Sequence, residues 1–170
     1  MEIAITSNQR LRSQKKLKTL ATLILKNHNL LYNTEVNIFF CDDDYIRRLN
    51  YHYRGIDTPT DVLSFAMCED NDLGFEKFTD YDLEETLMLG DIIISFDTAK
   101  RQAKELKHPL YIETYHLLIH GLLHLLGYDH IKENEKKEMF SEHKKIMQEF
   151  LKNTEDSKYA NSSWLMKDSF

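Results

Sequence analysis

The sequence has few of the residues that characterise disulfide-rich, collagen-like or low-complexity proteins. Its 170 residues include two cysteines, two prolines and five glycines. Cys41 and Cys68 lie far apart and form no CxxC pair, which excludes a disulfide framework and a thiolate zinc knuckle. Because 42% of the residues are apolar and phenylalanine and tyrosine occur nine times each, the chain is not mainly disordered. We expect one compact domain in a reducing compartment.

The sequence also lacks a targeting segment and an excess of positive charge. Its formal net charge of −6 argues against a protein that binds duplex nucleic acid over its whole surface. The N-terminus has no basic head followed by an apolar stretch, so we expect a cytoplasmic protein without a secretory signal. The apolar run from Pro109 to Leu126 has the length of a membrane span. It contains Glu113 and three histidines, which are costly in hydrocarbon, so we predict a buried helix and no membrane partner.

Positive charge is concentrated near the N-terminus. Residues 3–34 contain six lysines and arginines and no acidic residue. A run of like charge is often only a solvated helix surface. The alternative is a face that contacts phosphate groups.

Hydrophobic periodicity predicts four strands and five helices. The predicted strands contain Ile3 and Ile5, residues 36–40, residues 62–67 and residues 89–96. The predicted helices lie between the first two strands, after Cys41, from Asp97 or Thr98 to about Lys107, from Pro109 onward, and from Glu133 to Leu151. Residues 1–152 are predicted to form the domain, and residues 153–170, rich in asparagine, serine and aspartate, a disordered tail.

The chemically informative stretch is HLLIHGLLHLLGYDH, residues 116–130, which holds four of the eight histidines. On a helix, His120 and His124 differ by about 40° around the axis and about 6 Å along it, so both rings can bind one ion. His130 would point away, at about 240°, if the helix continued. Gly127 stands where a left-handed C-cap would end the helix, and that reversal would return His130 to the other two rings.

Three neutral imidazoles with an open fourth position are typical of a catalytic zinc site, since structural sites close with four protein ligands. The alternative is a set of hydrogen-bonded core histidines. His116, one turn earlier, is predicted to be a core residue or a support for the ligands rather than a fourth ligand. A tris-imidazole site also accepts nickel, copper or cobalt.

The helix resembles that of zinc peptidases with the extended motif HExxHxxGxxH, but Gly121 occupies the place of the glutamate. In those peptidases the glutamate deprotonates the metal-bound water. Its absence argues against peptide hydrolysis and leaves the metal site intact.

Three segments together resemble the YbeY-type endoribonuclease and rRNA maturation family. They are HGLLHLLGYDH at 120–130, YRGIDTPTDVLSF at 53–65 and LGDIIIS at 89–95. The resemblance implies a single-domain α+β fold in which helices pack against a mixed sheet of about four strands and the metal-binding helix is buried.

The resemblance also implies the site residues. His120, His124 and His130 would bind one zinc ion per chain, and Arg54 would be the functional arginine. An arginine suits phosphoryl transfer because its planar guanidinium grips nonbridging phosphate oxygens and stabilises developing charge.

Neighbouring acidic residues leave a second interpretation of this arginine, as the partner of Asp57 or Asp61 in an ordinary ion pair. Asp61 and Asp91 lie next to strands that would frame the cleft. Capping a turn or accepting backbone N–H groups explains both as well as catalysis does, so neither is a predicted catalytic residue.

The predicted function is zinc-dependent, single-strand-specific endoribonuclease activity in rRNA maturation and ribosome quality control. In this hypothesis a metal-activated water attacks the phosphodiester while Arg54 stabilises the phosphate, and the basic first helix is the track for the RNA backbone. The resemblance also implies the small ribosomal subunit and assembly factors such as an Era-type GTPase as partners.

Two other functions remain as alternatives. One is a non-catalytic ribosome-assembly factor in which a structural metal clamps the helix to the sheet. The other is a different metal-dependent hydrolase, such as a peptidase.

Overall fold

The computed structural model describes residues 1–9, 11, 14–30, 34–67 and 86–162, within which four strands, five α-helices and one short 3₁₀ helix follow one another. The elements are β1 (Glu2–Ser7), α1 (Gln14–Asn27), β2 (Thr34–Cys41), α2 (Asp43–Arg54), β3 (Val62–Ala66), β4 (Leu87–Ser95), α3 (Phe96–Glu105), α4 (Leu110–Leu125), α5 (Glu133–Lys152) and the 3₁₀ helix (Ser157–Tyr159). The predicted number, type and order of strands and α-helices are confirmed.

The four strands form one mixed sheet in the order β1-β2-β4-β3. β1 and β4 both run parallel to β2, and β3 runs antiparallel to β4. The helix α1 therefore connects two neighbouring parallel strands as a βαβ unit. The predicted α+β fold with a four-stranded mixed sheet is confirmed, and β3 lies at an edge of that sheet.

Helices cover both faces of the sheet. α1, α4 and α5 form one hydrophobic core with side chains such as Ile38 of β2 and Ile92 of β4. α2 packs on the opposite face, where Ile46 forms a second cluster with Leu63 and Ile93. Because α4 is covered by the sheet on one side and by α1 and α5 on the other, most of its residues are buried. The prediction that this helix, α4, is buried is confirmed.

The start of α3 differs from the sequence prediction. The expected N-cap was Asp97 or Thr98, but α3 begins at Phe96 and its N-cap is Ser95. The Ser95 hydroxyl accepts a hydrogen bond from the Thr98 backbone N–H at 3.1 Å. Ser95 is also the last residue of β4 and is fully buried, so the helix follows the strand directly. The apolar pattern of the strand concealed that boundary.

The segment predicted to be a disordered tail is folded over residues 153–162. It contains the 3₁₀ helix, and Ala160 is buried in the main core at 2% exposure. Lys16 of α1 forms ion pairs with Glu155 at 2.6 Å and with Asp156 at 2.9 Å. These contacts attach the segment because they neutralise its acidic residues and bury its apolar ones. Residues 163–170 lie outside the described residues.

No helix within the described ranges is long and apolar enough to cross a membrane, which agrees with the interpretation of residues 109–126 as a core helix.

Cys41 is buried, and burial raises the pKa of its thiol to about 12. Such a thiol is unreactive at neutral pH. Cys68 lies outside the described residues.

Candidate metal centre and active site

The last turns of α4 bring two histidine rings together. His120 and His124 are separated by one helical turn, and their Nε2 atoms lie 3.1 Å apart. Two nitrogen ligands at about 2.0–2.1 Å from one zinc ion, at a tetrahedral angle, lie about 3.3 Å apart. The pair therefore has the separation that a shared metal ion requires.

A glycine-terminated helix end returns the third histidine to this pair. Gly127 adopts φ 84°, which is left-handed backbone. The Gly127 N–H bonds to the carbonyl of His124 and the Tyr128 N–H to that of Leu123, each at 3.0 Å, which is a Schellman motif. The reversal places the His130 ring 5.6 Å from that of His120 and 5.0 Å from that of His124. The predicted convergence of the three rings is confirmed.

The three histidines fit a metal ion by their chemistry as well as their spacing. One ring nitrogen from each of His120, His124 and His130 lies within 4.8 Å of the other two. Among the described residues this is the one cluster of histidine, cysteine or acidic side chains with such a geometry. Imidazole is a ligand for zinc, copper, nickel and iron, so the donors indicate a transition metal without selecting one.

The environment keeps the two helix-borne histidines, His120 and His124, unprotonated. Burial, and then the charge of His124, lowers the pKa of His120 to about 3. Burial, and then the charge of His130, lowers the pKa of His124. Metal binding requires neutral imidazole, so these two rings are ready to bind metal at neutral pH without first releasing a proton.

The histidines line an open cleft of about 620 Å³ together with Arg54 and Asp61. Arg54, the last residue of α2, is close enough for its charge to contribute to the lowered pKa of His124. It forms no ion pair with the two predicted partners. Asp57 instead pairs with Arg47 at 3.0 Å. The alternative interpretation of Arg54 as one half of a local ion pair is therefore wrong.

The two aspartates beside the strands have structural roles. The Asp61 carboxylate accepts hydrogen bonds from the Val62 backbone N–H and the Gln102 side chain, both at 2.8 Å. Asp91 accepts a hydrogen bond from Asn37 on the neighbouring strand and does not line the cleft. These contacts are those expected of residues that satisfy backbone and side-chain donors.

The packing around Gly121 explains why this chain lacks the glutamate of the peptidase motif. A Cβ atom at Gly121 would lie 2.7 Å from Ile92 Cγ2 and 3.2 Å from Ser64 Oγ. The Ser64 hydroxyl also donates a hydrogen bond to the Gly121 carbonyl at 3.2 Å. This part of α4 packs directly on β3 and β4, so a glutamate at 121 would require the helix to move away from the sheet.

Next to the ligands lies a buried row of polar side chains. The His116 ring stacks on that of His143 from α5 with centroids 4.9 Å apart, and on that of His108 at 6.1 Å. His108 pairs with the buried carboxylate of Glu113 at 2.9 Å. His143 Nε2 lies 3.2 Å from the His116 carbonyl and donates to it. His116 thus lies in the core beside the site, as predicted.

Comparison with known proteins places this arrangement in a family. The family model described as Endoribonuclease YbeY matches residues 2–151. The chain belongs to the endoribonuclease YbeY family. It is 46% identical over 124 residues to the Endoribonuclease YbeY of Pelotomaculum thermopropionicum, covering 73% of this chain and 77% of that one. The corresponding protein of Oceanobacillus iheyensis is 47% identical over 116 residues, which is 68% of this chain and 73% of that one.

A solved structure supports the same fold. The solution structure of TM1509 from Thermotoga maritima has a TM-score of 0.59 and 28% sequence identity to this chain. The match covers 88% of this chain and 89% of that one. The resemblance to the YbeY family inferred from three sequence segments is confirmed.

The YbeY-type cleft contains residues that the sequence analysis did not single out. Tyr128 and Asp129 line it, and both lie between Gly127 and His130 in the segment already identified. The Tyr128 ring packs edge-on against His28 at 5.9 Å, which holds the loop before the third histidine. Their position inside the histidine motif was the available signal.

The basic N-terminal stretch was predicted to be the track for the RNA backbone. α1 packs against α4, β1 and α5, and His28, the residue after α1, contacts Tyr128 of the cleft. Lys16 is engaged by Glu155 and Asp156. Arg10 and Arg12 lie outside the described residues. No lysine of α1 lines the cleft itself, and a role of this helix in leading RNA to the site stays a prediction.

Proposed function

We propose that this protein is a zinc-dependent endoribonuclease that cleaves single-stranded RNA during rRNA maturation and ribosome quality control. The observation that carries the proposal is the convergence of three imidazoles beside Arg54 in an open cleft. The names of the relatives, Endoribonuclease YbeY, support RNA as the substrate and hydrolysis as the reaction.

Each site residue has a distinct part in this proposal. His120, His124 and His130 hold one metal ion, which supplies a Lewis acid and an activated water when bound. Three protein ligands leave a coordination position for a reactant, as in catalytic zinc sites. Arg54 lines the same cleft, so its guanidinium can grip the nonbridging oxygens of a phosphate bound there and stabilise the charge that develops during cleavage.

The cellular part of the proposal goes beyond the cleft itself. We assign the protein to the cytoplasm and the small ribosomal subunit as the setting of its substrate. Assembly factors such as an Era-type GTPase are the proposed protein partners. Zinc is the proposed metal because a histidine triad with one open position is its common catalytic arrangement.

The packing of α4 disfavours the peptidase alternative. Position 121, where a peptidase carries its glutamate, has no room for a side chain between α4 and β4. Asp61, a carboxylate that lines the cleft, is held by Gln102 and the Val62 N–H. A digest of casein by the zinc-loaded protein tests this alternative, and we expect no cleavage.

A cleavage assay with single-residue variants separates catalysis from a purely structural metal. Zinc-loaded wild type and Arg54→Ala are incubated with single-stranded RNA, and Arg47→Ala serves as the matched control because it removes an arginine of the same helix outside the cleft. We expect Arg54→Ala to lose cleavage with an unchanged melting temperature, and Arg47→Ala to retain it. Inactivity of metal-loaded wild type would instead favour the non-catalytic assembly factor. Products ending in a 2′,3′-cyclic phosphate would identify the ribose hydroxyl, rather than water, as the nucleophile.

A further inference from the structure

The last turn of α2 and the residues that follow it are open to solvent. Residues 51–59, which overlap the motif containing Arg54, are all exposed. Tyr51 and Tyr53 are each 62% exposed, and Ile56 is 49% exposed. A cluster of exposed aromatic and apolar side chains next to a cleft marks an interaction surface. The proposed function uses Arg54 from this segment and leaves its aromatic residues unexplained.

The Tyr53 ring packs against other aromatic rings on one side. It packs against Phe65 of β3 with ring centroids 4.7 Å apart and an interplanar angle of 56°. The His52 ring meets it edge-on at 4.8 Å. These contacts fix the orientation of the tyrosine while most of its surface stays open. A flat ligand that stacks on such a preorganised ring loses less free energy to ordering of the protein.

The position of this ring connects it to the metal cleft. Phe65 alternates along β3 with Ser64 and Ala66, and both of these residues line the cleft. Since successive side chains of a strand point to opposite faces, the Tyr53 ring and the cleft lie on the two sides of β3. β3 is an edge strand, and Arg54, the next residue after Tyr53, also lines the cleft. A chain held at Arg54 can therefore pass around the edge of β3 to reach the ring.

Charge favours a nucleic acid as the occupant of this surface. The C-terminal part of α2, residues 48–54, carries Arg48 and Arg54 and no acidic residue, in a protein whose net charge is −6. Tyr51 precedes Arg54 by three residues and so lies beside it on the helix surface. Interleaved aromatic and cationic side chains are typical of surfaces that bind single strands, where bases stack on rings and phosphates meet cations.

We propose that Tyr53 forms a stacking platform for unpaired bases of the RNA whose phosphate is held by Arg54. This inference rests on the proposed function, because it assumes that RNA enters the cleft. A base in a duplex is already stacked on its neighbours, whereas an unpaired base is free to stack on a tyrosine. The platform therefore makes the protein select single-stranded RNA.

Binding of RNA to Tyr53 variants tests the platform. The affinity of fluorescently labelled single-stranded RNA for the zinc-loaded protein is measured by anisotropy for wild type, Tyr53→Ala and Tyr53→Phe. Tyr45→Ala is the matched control, because Tyr45 lies on the same helix about 12 Å along its axis from Tyr53 and packs edge-on against Phe39. We expect Tyr53→Ala to weaken binding about tenfold and Tyr53→Phe to bind as wild type does. In a cleavage assay with the same variants, Tyr53→Ala should raise KM and leave kcat unchanged.

A second measurement does not depend on the folding of a variant. Wild type is offered a series of RNAs that each lack one base. One of these RNAs should bind about tenfold more weakly than the intact strand, and Tyr53→Ala should not distinguish it from the intact strand.

The outcomes separate this inference from the proposed function. The platform is overturned if Tyr53→Ala binds RNA as tightly as Tyr45→Ala does and still discriminates against the same abasic strand as wild type. Cleavage by all variants with unchanged KM would also overturn the platform while leaving the endoribonuclease activity intact. Conversely, Tyr53-dependent binding without any cleavage by wild type supports the platform and contradicts the proposed activity.

Discussion

The buried histidine of α5 makes the stability of the fold depend on pH. Burial lowers the pKa of His143 from 6.5 to about 4. The ring is therefore neutral in the folded protein at pH 5, whereas in the unfolded chain it binds a proton below pH 6.5. Because the unfolded state binds more protons in this range, the free energy of unfolding falls as the pH is lowered. Stability is full above pH 6.5 and is lost progressively as the pH falls toward 4.

The size of this effect follows from the shift. A difference of this size between the folded and unfolded pKa values corresponds to about 3 kcal/mol in total, of which about 2 kcal/mol is lost between pH 7.5 and pH 5. His143 is buried and lies within the protein core, so solvent screening does not reduce the effect. The neighbouring His116, whose pKa burial also lowers, adds to it in the same direction.

Urea unfolding of wild type and His143→Gln at pH 7.5 and pH 5 measures the contribution. Glutamine can still donate to the His116 carbonyl but does not titrate. We expect the variant to be less sensitive to acid than wild type by about 2 kcal/mol. His120 and His124 titrate in both proteins, so the difference between them reports mainly the His143 ring and its charge on neighbouring histidines. Parallel pH dependences for the two proteins would refute the assignment of His143 as a group that is buried and neutral.

Three further substitutions test the packing of α4, the turn before His130 and the attachment of the C-terminal segment. Gly121→Ala should lower the free energy of unfolding, measured with urea, by about 1–3 kcal/mol, because the added Cβ would lie 2.7 Å from Ile92 Cγ2. Unchanged stability would contradict the close packing of α4 on the sheet. Gly127→Ala should lower the free energy of unfolding by about 1–2 kcal/mol, because residue 127 has φ 84°. It should also weaken zinc binding in a competition titration with a chelating dye. Unaltered zinc affinity would contradict the role of this turn in positioning His130. Lys16→Met should lower the free energy of unfolding by about 1–3 kcal/mol, because it leaves the buried Asp156 carboxylate without its cation. The control Lys18→Met, on the exposed face of α1, should change stability little. Equal effects of the two substitutions would contradict the proposed attachment of residues 153–162 to α1.

The cluster of three histidines was predictable from sequence because its geometry is local. His120 and His124 are one helical turn apart, and any α-helix brings such residues together. Gly127 follows the last helical turn, where a left-handed residue reverses the chain and returns His130. None of these relations depends on how distant parts of the chain pack, so they could be read before the fold was known.

Other parts of the structure depend on contacts between residues far apart in sequence. His143 meets His116 across 27 residues, and Lys16 meets Asp156 across 140. The first pair requires the packing of α5 on α4, and the second requires the chain after α5 to return to α1. Composition predicted disorder for residues 153–170 because a sparse set of apolar residues gives no sign of the partner that will bury them.

The surroundings of Arg54 show the same limit. Its sequence neighbours Asp57 and Asp61 were the available candidates for an ion pair, yet their carboxylates are taken by Arg47 and by Gln102. Gln102 lies on α3, and its approach to Asp61 follows from tertiary packing. A local reading of charge could not tell that Arg54 would remain at the cleft.

The location of a bound metal is the most direct test of this account. Crystals of the zinc-loaded protein are measured at the zinc absorption edge, and the anomalous signal gives the position of the ion. We predict one peak at about 2.0–2.1 Å from a ring nitrogen of each of His120, His124 and His130, with the fourth position open to the cleft. A peak elsewhere, a fourth protein ligand closing the site, or a His130 ring turned outward into solvent would contradict the account.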